Sequence, residues 1–209
     1  NGEPLPASAL TVGQVVAIDA AGQGESVRAR SITVVYEISG PVTARDPAGA
    51  FLWVMGQAVD TAATRLPQAR PAAGVTDFAP GEFVAVSGLR RSDGVIVATY
   101  IARTSSRKAS VTGDLDLDRG AAHVHGTPVV LSAISAPPAA GPVRVEGNWD
   151  GTALAADRVI VDPLGRVLAR ATRFALQGYV KRGSAGAALR IARSEEHTSE
   201  LQSQFRISY

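Results

Sequence analysis

Three stretches of this chain follow one pattern. Gly13–Asp19 reads GQVVAID and leads into SVRARSI, ending at Ile32; Gly81–Gly88 reads GEFVAVSG and leads into DGVIVATYI, ending at Ile101; Gly141–Gly147 reads GPVRVEG and leads into DGTALAADRV, ending at Val159. Each opens on glycine, runs an alternating apolar strand, turns, and runs a second strand. A complementary half-pattern lies between them, at Ile38–Val59, at Val111–Leu131, and begun again at Leu176–Ile191. Its anchoring glycines Gly40, Gly113 and Gly178 lie 73 and 65 residues apart. A repeat of this length implies supersecondary units placed side by side rather than one large core.

The unit reads as a β-meander. Phe83, Ala85 and Ser87 alternate with Val84, Val86 and Gly88, the period of two that defines a strand. Ser92-Asp93-Gly94, Trp149-Asp150-Gly151 and Asp46-Pro47-Ala48-Gly49 are turn signals between strands. Helical periodicity is weak; Asp60–Leu66 is the best stretch for a short helix, which could close a barrel end. About five short strands per unit suit an all-β fold of tandem small barrels of the oligonucleotide/oligosaccharide-binding (OB) type, with β-sandwich modules as the alternative architecture. Barrel closure removes the exposed edges that make short strands aggregate.

The repeat sets the expected organisation: the second half of one module over residues 1–37, a full module over 38–108, a divergent second module over 109–172, and the start of a further one over 173–192. On this reading the chain begins and ends in mid-module, as a fragment would. The last seventeen residues, Arg193–Tyr209, contain no Gly, Ala, Val or Pro, although the preceding sequence is rich in all four. The string RSEEHTSELQS resembles an in-frame translation of a short-read sequencing adapter. The tail is expected to be non-native, with no function for His197 or for Glu195, Glu196 and Glu200.

The motifs ISGPVTARD (Ile38–Asp46), WVMGQAV (Trp53–Val59), FAPGEFVAVSG (Phe78–Gly88) and DGVIVATYI (Asp93–Ile101) resemble the bacterial family called domain of unknown function 5666, and the same signature runs more faintly through Val111–Val159. The resemblance implies tandem β-barrel modules in exported proteins, hence a periplasmic or cell-surface location. It implies no activity and transfers no functional residue. The shorter first hairpin of the second module, Gly113 to Gly126 against Gly40 to Gly56, departs from the pattern.

Composition excludes some chemistry. Without cysteine the chain has no disulfide, thiolate metal site or cysteine nucleophile. The formal charge is +2, and the basic pairs Arg90-Arg91 and Arg107-Lys108 stand alone, so no nucleic-acid partner is expected. No apolar run is long enough for a helical membrane span.

Candidate site residues are few. His123 and His125 stand two apart, which on a strand places both imidazoles on one face and makes them candidate metal ligands. Asp114, Asp116 and Asp118 space like the first carboxylates of a calcium loop, but Gly120 comes one residue late and His125 stands where a bidentate Glu is needed. Trp149, beside a turn and expected to be exposed, is the candidate ligand-stacking residue; Trp53, within Phe51–Met55, is assigned to the core. No nucleophile elbow or phosphate loop is present, and GSAG at Gly183–Gly186 is a turn. The reading is a non-catalytic β-repeat module without cofactor, acting as a spacer or a protein-contact element, or else binding an oligosaccharide or other ligand on a barrel face.

Overall fold

The structure, a computed structural model, describes residues 8, 10–23, 26–64, 66, 77–91, 93–118 and 120–161, together with the backbone of 175–176, 179–182, 189–192 and 207–208. Strands β1 (Val15–Gln23) and β2 (Ser26–Val35) form an antiparallel hairpin of their own. Then come β3 (Ile38–Arg45), β4 (Phe51–Val54), β5 (Gln57–Asp60), β6 (Phe83–Arg90) and β7 (Ile96–Arg103). A second set of five follows: β8 (Ala109–Asp118), β9 (Ala121–Val124), β10 (Thr127–Val130), β11 (Gly141–Trp149) and β12 (Leu154–Val161). Short strands β13 (Ala175–Leu176), β14 (Tyr179–Arg182), β15 (Leu189–Ala192) and β16 (Ile207–Ser208) pair as β13–β16 and β14–β15.

Each set of five closes on itself. In the first, β3 pairs with β4, β4 with β5, β5 with β7, β7 with β6, and β6 returns to β3. In the second, the circuit is β8, β9, β10, β12, β11 and back to β8. Every pairing is antiparallel except β5–β7 and β10–β12. This is the five-stranded Greek-key circuit of an OB-like barrel, and the closing pairs β3–β6 and β8–β11 rule out two separate sandwich sheets. Among the described residues there is no α-helix: residues 61–64 form a turn, closed by the Thr64 N–H donating to the Thr61 carbonyl at 3.0 Å, where a short helix was expected.

Alternation explains which side chains fill the barrels. Leu52 and Val54 of β4, Val84 and Val86 of β6, and Ile96 and Ala98 of β7 are fully buried, as are Val124, Val145 and Leu154 in the second barrel. Both barrels contribute to one contiguous apolar cluster. They are also joined through the backbone. β3 and β8 pair antiparallel, with Ile38 opposite Val111 and Ser39 opposite Ser110, and the Thr112 N–H donates to the Glu37 carbonyl at 2.9 Å. Ile38 and Val111 hold the same place in the repeat, two residues before Gly40 and Gly113. The pairing therefore maps onto itself when the barrels are exchanged, as an isologous dimer interface does.

Candidate functional site

The junction of the barrels gathers polar side chains from both modules, held by hydrogen bonds. A groove of about 510 Å³ opens there, lined by Tyr36, Ser39 and Ser110 and by the charged Lys108, Arg144 and Glu146, among others. Arg144, on β11, donates to Glu146 at 2.9 Å, to the Ser110 hydroxyl at 3.1 Å and to the Tyr36 carbonyl at 3.4 Å. Lys108 is paired with Asp157. Arg103, the third cation of the wall, is paired with Glu82 at 3.4 Å, so each lining cation named has a carboxylate partner and none is left as a free charge for a polyanion. Burial, and secondarily Tyr100, raise the Tyr36 phenol above its ordinary range, which keeps it a protonated donor at neutral pH.

Deeper in the junction, Gln57 of β5 crosses between barrels. Its Nε2 donates to the Val124 carbonyl at 3.1 Å and to the Thr127 hydroxyl at 2.6 Å. Gln57 and Thr127 occupy the same position in the repeat, each following a Met-Gly or His-Gly turn. The two hairpin tips therefore meet about the same local axis as β3 and β8.

Those turns are unusual. Met55 and His125 both have φ of 48°, a left-handed conformation uncommon for non-glycine residues, and each is followed by a glycine with φ near 80°, the positive-φ pair of a two-residue hairpin turn. Each side chain folds over the anchoring glycine of the first strand in its own barrel. A Cβ on Gly40 would lie 2.7 Å from the Met55 sulfur, and one on Gly113 would lie 1.9 Å from His125 Cδ2. The left-handed turn costs about 1–2 kcal/mol for a non-glycine residue. Burying a methionine side chain returns about 1.5–3 kcal/mol, and Met55 is only 1% exposed. His125 offsets less of that cost, because it remains exposed overall.

The turn separates the two candidate histidines. His123 lies on β9, opposite Asp116 and Pro128, whereas His125 has already left the strand for the turn. Its Nε2 accepts the Asp114 N–H at 3.4 Å instead of facing the His123 ring. Burial of the imidazole against Gly113, then the positive charge of Arg90, lower its pKa to about 4, while Asp114 acts in the opposite direction. A neutral His125 is an acceptor, but among the described residues no third His, Asp or Glu joins the pair to make a metal-binding group. Asp114, Asp116 and Asp118 line β8, with Leu115 buried between the first two and Leu117 47% exposed.

Both tryptophans are half-buried, where a core Trp53 and an exposed Trp149 were expected. Trp149 ends β11, on the inward parity of Val143 and Val145, and packs against the core cluster half-buried. Trp53 sits between the fully buried Leu52 and Val54, so alternation turns it to the outer barrel face. There it neighbours the ring of Phe51, with centroids 6.1 Å apart and planes tilted by 37°. Trp53 is flanked across the sheet by Ala44 and Ala58, and Phe51 by Asp60, which Arg91 approaches at 3.9 Å. His123 takes the place of Trp53 in the second barrel. Arg90 ends β6 at 2% exposure, its Nη1 donating to the Gly94 carbonyl at 2.7 Å. Alternation from Leu52 would have found the outward aromatic pair; the hydrophobic run around it concealed the phase. GSAG at Gly183–Gly186 and residues 193–206 and 209 of the tail lie outside the described residues.

Residues 39–102 match a protein-family model described as Domain of unknown function (DUF5666). The match spans the first barrel from β3 to β7. No curated protein and no solved structure matches the chain.

Proposed function

We propose that this chain, whose residues 39–102 match the DUF5666 family model, is a non-catalytic part of an exported, periplasmic or cell-surface protein, in which tandem barrels serve as a stiff spacer or protein-contact element. The observation that carries the reading is the junction. Two closed barrels share an apolar cluster, a stretch of backbone pairing at Ile38–Val111 and the Gln57–Thr127 bridge. Modules joined only by a linker reorient freely; modules sharing a ladder and a core do not. The absence of an activity from the proposal fits the groove, whose cations are each paired with a carboxylate, and His125, whose pKa lies well below that of a base poised for neutral pH. The exported setting rests on the family resemblance.

Backbone ¹⁵N relaxation on the full chain tests stiffness. One rotational correlation time for amides of β3–β7 and β8–β12 is expected; independent tumbling of the two barrels would rule the spacer reading out.

A second reading, oligosaccharide binding on a barrel face, is favoured by the Phe51–Trp53 pair. Two aromatic rings on the outer face of the second barrel strand offer apolar area for a sugar ring, on the face that OB-like barrels use for ligands. The carboxylate of Asp60 beside Phe51 suits hydroxyls better than phosphates. Titration with chitohexaose or cellohexaose should quench fluorescence in the parent and in Trp149→Phe but not in Trp53→Ala. No quenching in the parent would dismiss this reading.

A further inference from the structure

The hairpin β1–β2 is built like the hairpins that complete the two barrels, yet its matching face is uncovered. In the first barrel, β6 and β7 pair Val86 with Ile101 and Ser87 with Tyr100, then slip by one residue so that Gly88 faces Ala98. In the second, β11 and β12 pair Val145 with Val159 and Glu146 with Arg158, then slip so that Gly147 faces Ala156. β1 and β2 repeat this register: Ile18 faces Ile32, Asp19 faces Ser31, and after the slip Ala20 faces Ala29. Bulges are local devices that bend a strand and increase its twist, and here the same bulge falls at the same rung three times. Gly13 and Gly81, at corresponding places before β1 and β6, have φ of 100° and 87°. The departure is Ala20, which stands where the other two hairpins have glycine.

The side chains differ in what covers them. Val84, Val86 and Ile101 are each 0% exposed, because the meander β3–β4–β5 closes over them. Their counterparts Val16, Ile18 and Ile32 are 37%, 52% and 41% exposed. The apolar face of this hairpin is therefore the counterpart of an interface that the chain forms twice. In both cases its occupant is a three-stranded meander, with an antiparallel pairing on one edge and a parallel pairing on the other.

We propose that the face carrying Val16, Ile18 and Ile32 is a docking surface for a three-stranded β-meander of the β3–β4–β5 kind, which adds to both edges of the β1–β2 hairpin and closes a third barrel. The occupant is defined by chemistry: an apolar inner face of β-branched residues, an outer edge pairing antiparallel with β1, and a third strand running parallel to β2. Main-chain pairing supplies affinity and the apolar pockets supply register, as in strand addition generally. The inference stands independently of the spacer reading, since a barrel completed here could be stiff or loosely hinged.

The experiment supplies the meander in cis. Residues 38–80 are duplicated directly ahead of Gly13 in the full chain, reproducing the spacing between the meander and Gly81, and amide hydrogen exchange is followed in β1 and β2. Closure should slow exchange of the β1 and β2 amides by about 100-fold or more relative to the parent chain, the range that separates a frayed element from a packed one. Ile18→Asp within the grafted chain should abolish that protection while β3–β12 stay protected. Unchanged exchange in β1 and β2, with the two existing barrels intact, would overturn the proposal. So would concentration-dependent protection of β1 and β2 in the ungrafted chain, which would identify a second copy as the occupant.

Discussion

At the scale of single residues, two pairs of equivalent positions carry the sharpest expectations. Gly88 and Gly147 sit at the bulges of β6 and β11, where an added Cβ would lie 2.2 Å from the Val97 carbonyl oxygen and 2.0 Å from that of Ala155. Both obstacles are backbone, so neither can swing aside. Gly88→Ala and Gly147→Ala should each lower stability in urea unfolding by about 1–3 kcal/mol, the usual range for overpacking. The second pair is Met55 and His125. The folded-state pKa of His125, about 4, lies below its ordinary 6.5. Between those values the unfolded chain binds the proton that the folded chain refuses, so stability contributed by neutral His125 is present above pH 6.5 and is lost as pH falls toward 4. Because the residue is exposed overall, solvent screening reduces the effect to about 1 kcal/mol. His125→Met, which installs the residue that the first barrel uses at this position, should flatten that part of a stability-versus-pH curve; an unchanged slope would show that other groups produce it.

At the scale of elements, the hairpin turns decide register. Gly94 and Gly151 lie between β6 and β7 and between β11 and β12, with φ of 88° and 108°. Asp93 and Asp150 support these turns by accepting backbone N–H groups, Val95 at 3.1 Å in one and Thr152 at 2.7 Å in the other. Three backbone and side-chain donors from Thr152 and Ala153 hold the Asp150 carboxyl below its usual range. A valine forced to φ > 0 is strained by about 1–3 kcal/mol. Gly94→Val and Gly151→Val should therefore each lower the thermal midpoint, and a melt identical to the parent in both variants would refute the turn geometry. These elements were readable in advance because the turn residues and strand alternation are local. Trp53 and Trp149 were not, since a run such as Phe51–Met55 has two possible phases and only packing against the β3–β7 circuit selects one.

At the scale of the whole molecule, the junction couples two barrels that each close on their own. Gln57, 6% exposed, satisfies its amide nitrogen through Val124 and Thr127 of the other barrel. Gln57→Leu removes the donor and leaves the Val124 carbonyl without that partner, a loss of about 1–3 kcal/mol for a buried group. Calorimetry should show one transition in the parent and, in this variant, a lower midpoint or two resolved transitions; an unshifted single peak would mean the bridge contributes nothing. Deleting Arg193–Tyr209 should leave the transition of the barrels unmoved, because the described tail residues Ile207 and Ser208 pair only with β13 within the sheets described. A lowered midpoint would show the tail packing on the fold.

The repeated glycines, the alternation and the turn signals were enough to establish an all-β chain of small modules, because strand period and turn chemistry act over a few residues; the closing pairs β3–β6 and β8–β11 decided for OB-like barrels over sandwiches. Which modules share a core, and about what axis, depended on contacts between residues about 70 positions apart, such as Ile38 with Val111 and Gln57 with Thr127. So did the outward aromatic pair, the turn that separates His123 from His125, and the burial of Arg90. Local pattern assigns a strand two faces; only the closed barrel, by covering one of them, decides which side chains remain available to a partner.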